Sequence, residues 1–275
     1  MKRVIFHYEI SEVAPYIDWS YLLHAWGVSG NKATKETADE VVEDAKALLC
    51  EMAGKYRTHA LFTLCNAKGD GDNIVIEDKR IPLLRQQHTQ LGKPNLCLSD
   101  FVSPYSDNVG LFATSVDSHF GTEYSNDTYR HLLAQTLADR LAEATATLLH
   151  LQVRTDKALW GYSEDENLDI NDLLTEKNQG IRPAVGYPSL PDQSIIFELD
   201  KLLNLNEIDI ALTPNGAMTP HASVCGMMIA HVKAHYFSIG RITEEQLADY
   251  AERRELEVEN IRKFLTKNID TVHNG

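Results

Sequence analysis

No stretch of about 18 consecutive apolar residues, the least that spans a bilayer as a helix, occurs in the 275 residues of the chain. Positive charge is in short supply: 26 Lys and Arg stand against 40 Asp and Glu, a formal net charge of −14. That balance argues against nucleic acid or an anionic membrane as the main partner. Cysteine is scarce. Cys50, Cys65, Cys97 and Cys225 are widely spaced and form no C-x-x-C pair, so reduced, mostly buried thiols of a cytoplasmic protein are expected, and neither a disulfide framework nor a zinc site. The start, Met1 to His7 followed by Glu9 and Glu12, is too short and too acidic for a signal peptide. No G-x-x-x-x-G-K-S/T phosphate loop, no G-x-G-x-x-G after a strand and no G-x-S-x-G elbow is present. His231 and His235 lie four apart, but their segment reads as strand and turn and no H-E-x-x-H occurs. A core or surface role therefore fits them better than metal ligation.

The apolar pattern is that of an ordinary globular chain, 43% apolar and 24% charged. Asp18 to Trp26 reads as a short helix or an ordered aromatic turn. Thr34 to Tyr56 reads as an amphipathic helix with Ala38, Val41, Val42, Ala45, Leu48, Leu49 and Met52 on one face. Leu61–Cys65 and Ile74–Glu77 suit a hairpin closed by Gly69-Asp70-Gly71-Asp72. Further strands are expected at Leu96–Val102, Val109–Ser115, Ile208–Thr213, Ala222–Ala230 and His235–Ile239. The longest helix runs from Asp127 to about Asp156 on a stripe of Leu133, Leu137, Leu141, Ala144, Leu148 and Leu151. Shorter helices are expected at Asp169–Lys177, at Asp192–Leu203 with Asp192 as N-cap, from the Thr243 capping box to about Leu256, and at Glu257–Leu265. Strands come in groups and do not alternate with helices, which predicts an α+β fold and one domain over residues 1–275.

The most informative stretch is Gly180 to Pro188, G-I-R-P-A-V-G-Y-P. Arg182 and Tyr187 each precede a proline and are pushed toward extended backbone, while Gly186 permits close approach to a ligand. A stiff loop with a guanidinium fork and a phenol suits a carboxylate ligand, since the planar donors match two oxygens at once. On local chemistry alone, a plain Pro/Gly turn with a surface arginine stays open as well.

Other short motifs accompany it in a fixed order: Asp100-Phe101-Val102-Ser103-Pro104, Ala138-Asp139-Arg140-Leu141-Ala142-Glu143-Ala144, Trp160-Gly161-Tyr162, Ser223-Val224-Cys225-Gly226 with His231, and Asp249-Tyr250-Ala251-Glu252-Arg253-Arg254. Together, from about Tyr16 to Asn268, they resemble the C-terminal activation (reactivation) domain of cobalamin-dependent methionine synthase. The resemblance implies a single curved domain with a twisted antiparallel sheet and flanking helices. It implies a surface groove for S-adenosylmethionine, whose methyl group is presented to oxidised cobalamin while flavodoxin or another reductase supplies an electron. It places ligand contacts at Asp18, Glu143, Glu176, Arg182, Ala184 and Tyr187, and a further aromatic contact around Tyr236 and Phe237. The alignment favours Phe237 at the family's tyrosine, which implies that a hydroxyl is lost there. Carboxylates suit the ligand's sulfonium and ammonium, and an arginine suits its carboxylate. No residue is expected to act as a general acid or base, since the task is mainly positioning.

Departures accompany the resemblance. Thr213-Pro214-Asn215-Gly216-Ala217-Met218 replaces the family's T-E-S-x-A-M and loses its glutamate, Cys225 replaces the second serine of S-V-S-G, and Val232 replaces a proline. They put the local groove wall in question. Asp117-Ser118-His119-Phe120-Gly121 is one residue short of the D-x-H-x-x-G motif of cobalamin-binding domains and reads as a loop. No cobalamin-, folate- or homocysteine-binding module is recognisable. Met1 and a family-unlike first dozen residues favour a stand-alone subunit acting in trans on a cobalamin-binding methionine synthase module. A non-catalytic docking module for the cobalamin protein and its reductase, or an activation partner of another corrinoid methyltransferase, are the alternatives.

Overall fold

A computed structural model describes residues 2–28, 35–89 and 92–269. In chain order the elements are β1 (Lys2–Glu9), α1 (Ile10–Val13), α2 (Trp19–Ala25), α3 (Lys35–Met52), β2 (Arg57–Asp70), β3 (Asn73–Ile76), β4 (Lys79–Pro82), β5 (Asp107–Val116), α4 (Thr128–Thr155), α5 (Ile170–Leu174), α6 (Ile195–Leu203), β6 (Ala211–Leu212), β7 (Met218–Thr219), β8 (Ser223–Met228), α7 (Glu244–Arg253) and α8 (Val258–Phe264). The fold is α+β, a curved antiparallel sheet with flanking helices.

Strand β2 organises the sheet because its 14 residues are long enough to serve three partners. Along one edge, β1 pairs from Glu9↔Arg57 to Lys2↔Leu64 and β3 continues from Ala67↔Ile76 to Asp70↔Asn73. Along the other, β5 pairs from Thr58↔Val116 to Ala67↔Asp107, and β8 lies outside β5. Side chains alternate between faces along a strand, and both faces here are covered. Phe62, Phe112, Val224 and Met228 join Leu133, Leu137, Leu141 and Leu149 of α4. Leu61, Leu111, Cys225 and Met227 join Ile195, Ile196 and Leu199 of α6. Burial on two faces makes these strands read as near-continuous apolar runs.

The helices follow their caps. Asp127 accepts from the Arg130 amide at 3.1 Å at the start of α4, and Thr243 accepts from the Gln246 amide at the start of α7. The α3 stripe buries Val41, Ala45, Leu48, Leu49 and Met52; its expected start at Thr34 lies outside the described residues. Asp117 to Gly121 forms a turn, in which Asp117 is bonded to His59.

Several expected elements differ. Leu96–Val102 is not a strand: Leu98–Phe101 is a 3₁₀ turn, because the Asp100 carboxylate accepts from the Cys97 amide at 2.9 Å and pairs through both oxygens with Arg85. His235–Ile239 is irregular; its Ile239 amide donates to Pro188 O at 2.9 Å, committing it to a loop instead of a ladder. Of Ile208–Thr213 only Ala211–Leu212 is strand, since a 3₁₀ turn at Leu205–Ile208 and a left-handed Asp209 (φ 58°) precede it. Of Asp169–Lys177 only Ile170–Leu174 is helical. Strands β1, β4 and β7 were not anticipated; β1 is half-buried, so its pattern is weak. The Thr213–Ala217 segment is the turn of the β6–β7 hairpin, closed by Thr213 N–H to Ala217 O at 2.9 Å.

The expected N-cap Asp192 lies two residues before the actual N-cap of α6, Ser194, and has a larger role. Its buried carboxylate takes the Ser194 amide and hydroxyl on Oδ1, and the Tyr250 hydroxyl (2.8 Å) and the Arg254 guanidinium (2.6 Å) on Oδ2. This fastens α7 to α6. Arg254→Ala would leave a buried carboxylate without its cation. Loss of one partner of such a pair costs about 3–5 kcal/mol, so urea denaturation is expected to show an unfolding free energy lowered by about that amount and a correspondingly lower midpoint; an unchanged midpoint refutes the role.

Candidate functional site

A groove of about 850 Å³ opens where α4 passes the Arg182 loop. Helix α4 presents Arg140, Glu143, Ala144 and Thr147 to it, three or four residues apart and so on one face. Tyr16, Asp18 and Tyr21 enter from the start of α2, Leu173 to Glu176 from the end of α5, and Tyr236 and Phe237 from the irregular segment after β8. Arg182, Ala184 and Tyr187 come from the proline-flanked loop.

That loop is held by backbone. Ile181 exchanges both hydrogen bonds with Ile229 at 3.0 and 2.9 Å, Met227 N–H donates to Pro183 O at 3.0 Å, and Val185 N–H donates to Cys225 O at 2.9 Å. Residues 181–185 thus extend the sheet past β8. The approach is so close that a methyl on Gly226 would lie 2.2 Å from Pro183 O and 2.8 Å from Ala184 Cα. Behind the loop, Trp160-Gly161-Tyr162 folds back on the end of α4, with Gly161 N–H on Val153 O and Ser163 N–H on Arg154 O, which satisfies carbonyls that the helix end leaves open.

Arg182 is half-buried. Its Nη2 donates to Thr147 Oγ1 at 2.9 Å, its Nη1 lies 3.4 Å from Glu143 Oε2, and its amide donates to the Tyr236 hydroxyl at 2.9 Å. Burial lowers its pKa, but Tyr236, Glu143 and Glu176 outweigh burial and raise it, so the cation is fixed. The Tyr187 hydroxyl donates to Glu143 Oε1, and burial first, then that carboxylate, pushes the phenol well up, so it remains a donor. Burial raises Glu176 above the ordinary glutamate value, with Arg182 pulling the other way. Glu176 sits just past α5 with a left-handed backbone (φ 57°). Lys177 pairs with Asp172 at 2.6 Å, and Glu176 itself makes no direct ion pair among the described residues. Asp18 caps α2, accepting from the Ser20 amide and hydroxyl through Oδ1. The groove therefore offers two guanidinium groups, Arg182 bonded to Thr147 and Glu143 and Arg140 5.7 Å from the Tyr21 ring centre, with carboxylates on three separate elements and the side chains of Tyr187, Tyr236 and Phe237.

All the residues named from the sequence, Asp18, Glu143, Glu176, Arg182, Ala184, Tyr187, Tyr236 and Phe237, line this one groove. The chain matches the family described as vitamin B12 dependent methionine synthase, activation domain, over residues 9–255. The chain belongs to that family. It is also similar to a solved structure, the crystal structure of the MetH reactivation domain bound to AdoHcy, with TM-score 0.88 and 30% identity over 98% of this chain and 91% of that one. No helix among the described residues is long and apolar enough to cross a membrane.

Within the activation-domain fold, Tyr236 supplies a hydroxyl on Arg182, while the half-buried Phe237 ring packs 6.2 Å from Phe101. The divergent Thr213–Ala217 turn is not part of the groove wall. Sequence reading missed Tyr16, Tyr21, Arg140 and Thr147. The last two were legible: they lie three residues before and four after Glu143, on its helical face. Gly226→Ala is expected to push residues 181–185 off the sheet, cost about 1–3 kcal/mol as overpacking does, and speed hydrogen exchange at the Ile181, Val185 and Met227 amides. Unchanged protection there would show that the close approach is not needed.

Proposed function

We propose that this chain binds S-adenosylmethionine in the groove and presents its methyl group for remethylation of oxidised cobalamin, so reactivating a cobalamin-dependent methionine synthase. The carrying observation is that the Arg182 guanidinium, the carboxylates of Asp18, Glu143 and Glu176, and the rings of Tyr187, Tyr236 and Phe237 share a single groove in a member of this family. The ligand bound in the similar MetH reactivation domain is AdoHcy, which shares the adenosyl and amino-acid parts of S-adenosylmethionine.

The donor set fits the ligand. Arg182 is assigned to the carboxylate, which its fork can hold at two points. Glu143 and Glu176 are assigned to the ammonium and sulfonium, Asp18 to the rim, and Ala184, Tyr187, Tyr236 and Phe237 to the nucleoside and alkyl surfaces. S-adenosylmethionine supplies an electrophilic methyl, and reduced cobalamin on a partner supplies the nucleophile. The chain's own residues bind and orient. Carboxylates near the sulfonium keep it in place without removing a proton, and a half-open groove leaves the methyl within reach of a docked protein. The whole chain acts as one activation domain in the cytoplasm, in trans on a cobalamin-binding methionine synthase module, with flavodoxin or another reductase as electron donor.

Calorimetry with S-adenosylmethionine is expected to show saturable binding, and Arg182→Ala to weaken it by about 10- to 100-fold, the range for a charged hydrogen-bonded contact. No heat at millimolar ligand would leave only a docking role. Burial holds Glu176 above its ordinary 4.5 in the free protein, and a bound cation favours its ionised form. Binding then releases a proton. Affinity is expected to fall as pH drops through that raised pKa and to recover above it. Glu176→Gln should flatten this limb of the profile; a variant with the parent's pH dependence would exclude Glu176 from the cationic subsite.

A further inference from the structure

Below the groove floor the inward stripe of α4 continues from Thr147 to His150 and Arg154. A second, small space of about 20 Å³ lies there, lined in part by Thr147, His150, Arg154, Glu176, Arg182 and Tyr236. One water needs about 10–15 Å³ of such space and two to four polar partners.

One wall carries an unspent donor. Arg154 is 1% exposed. Its Nε and Nη2 both lie 2.7 Å from the same oxygen, Glu166 Oε2, but only Nε makes a directed hydrogen bond, and buried Nη2 has none. The other oxygen, Glu166 Oε1, accepts from the Gln179 amide at 3.1 Å. Nη2 is ion-paired but has no directed acceptor, and with the other polar groups around the void it favours a polar occupant. The surroundings select a neutral one. Arg154 is offset by Glu166, Arg182 by Glu143, and Glu176, which also lines the space, is raised by burial toward its neutral form. Burial first, then Arg154 and Arg182, keeps His150 far below its usual value and uncharged, with Nε2 2.8 Å from the Tyr162 hydroxyl.

We propose that this void is a built site for one water molecule, and that the water and Thr147 together set the height of the Arg182 guanidinium in the groove. Thr147 faces both spaces and accepts from Arg182 Nη2 at 2.9 Å. The only other side-chain contact of that guanidinium among the described residues is Glu143, at 3.4 Å. With the void filled and Thr147 in place, Arg182 cannot sink toward Arg154. Thr147 is therefore a positioning residue, acting on ligand through Arg182; this role rests on the ligand reading above.

The test uses the full chain, with S-adenosylhomocysteine and 5′-methylthioadenosine, which lacks the amino-acid carboxylate, as probes. Thr147→Val is expected to weaken S-adenosylhomocysteine about tenfold, one hydrogen bond to a charged group, and to leave methylthioadenosine unchanged. Thr147→Ser should restore the affinity for S-adenosylhomocysteine and leave methylthioadenosine unchanged. Equal losses for the two probes, or no loss for either, overturn the positioning role. Wild-type protein that binds no S-adenosylhomocysteine overturns the ligand reading and the positioning role with it. The water site is judged separately: a high-resolution crystal structure is expected to show one water in the void. An empty void, or an anomalous halide peak there in bromide-soaked crystals, overturns it.

Discussion

The missing side chain of Gly226 lets a loop become the last strand of the sheet. Because nothing projects from that glycine, Pro183 and Ala184 come within van der Waals range of β8, and the flanking amides close a ladder around them. Arg182 then leaves a rigid backbone at a known height and angle. A long flexible side chain loses much rotamer freedom when it is fixed; here part of that cost is met by backbone geometry and the rest by Thr147, Glu143 and Tyr236. The assigned contacts Arg182 and Ala184 both leave this one strand-like segment.

Much of the site was legible because its residues belong to motifs with strong backbone signatures. The prolines at 183 and 188 and the glycines at 180 and 186 announce a rigid loop whatever packs on it. The 3.6-residue period of α4 places Glu143 on a definite face. The fold class followed from strands arriving in groups. Less legible were elements that tertiary contacts decide. Leu96–Val102 has the composition of a strand, yet Arg85 and the Cys97 amide claim Asp100 and curl the chain. His235–Ile239 has the composition of a strand but is irregular, because the Tyr236 hydroxyl and the Ile239 amide bond to the Arg182 loop. Strand β1 carries His7 and Glu9 beside apolar residues, so its alternation is blurred. Thr147 was missed because a helical threonine normally bonds back to its own turn, as this one also does to Glu143 O at 3.2 Å.

The motifs are scattered in sequence because α4 works as a rail between two layers. Its upper turns carry Glu143 and Thr147 to the groove, while its lower turns carry Arg154 to Glu166. Glu166 in turn holds the Gln179 amide, three residues before Arg182. The Trp160-Gly161-Tyr162 segment closes the end of the rail and brings the Tyr162 hydroxyl against Gly180, where a methyl would lie 2.7 Å from it. A change at any of these points moves the loop, which gives a physical reason for these segments to occur together.

The outer margin of residues 181–185 has one more property. An exposed sheet margin invites pairing by a foreign chain unless its polar groups are engaged. The outward Arg182 amide is already bonded to the Tyr236 phenol, and the Ala184 carbonyl accepts from the Tyr187 amide at 3.2 Å. The hydrogen bonds that steady the Arg182 loop also engage polar groups that would otherwise invite pairing, so the placing of the guanidinium and the masking of this margin rest on the same few atoms.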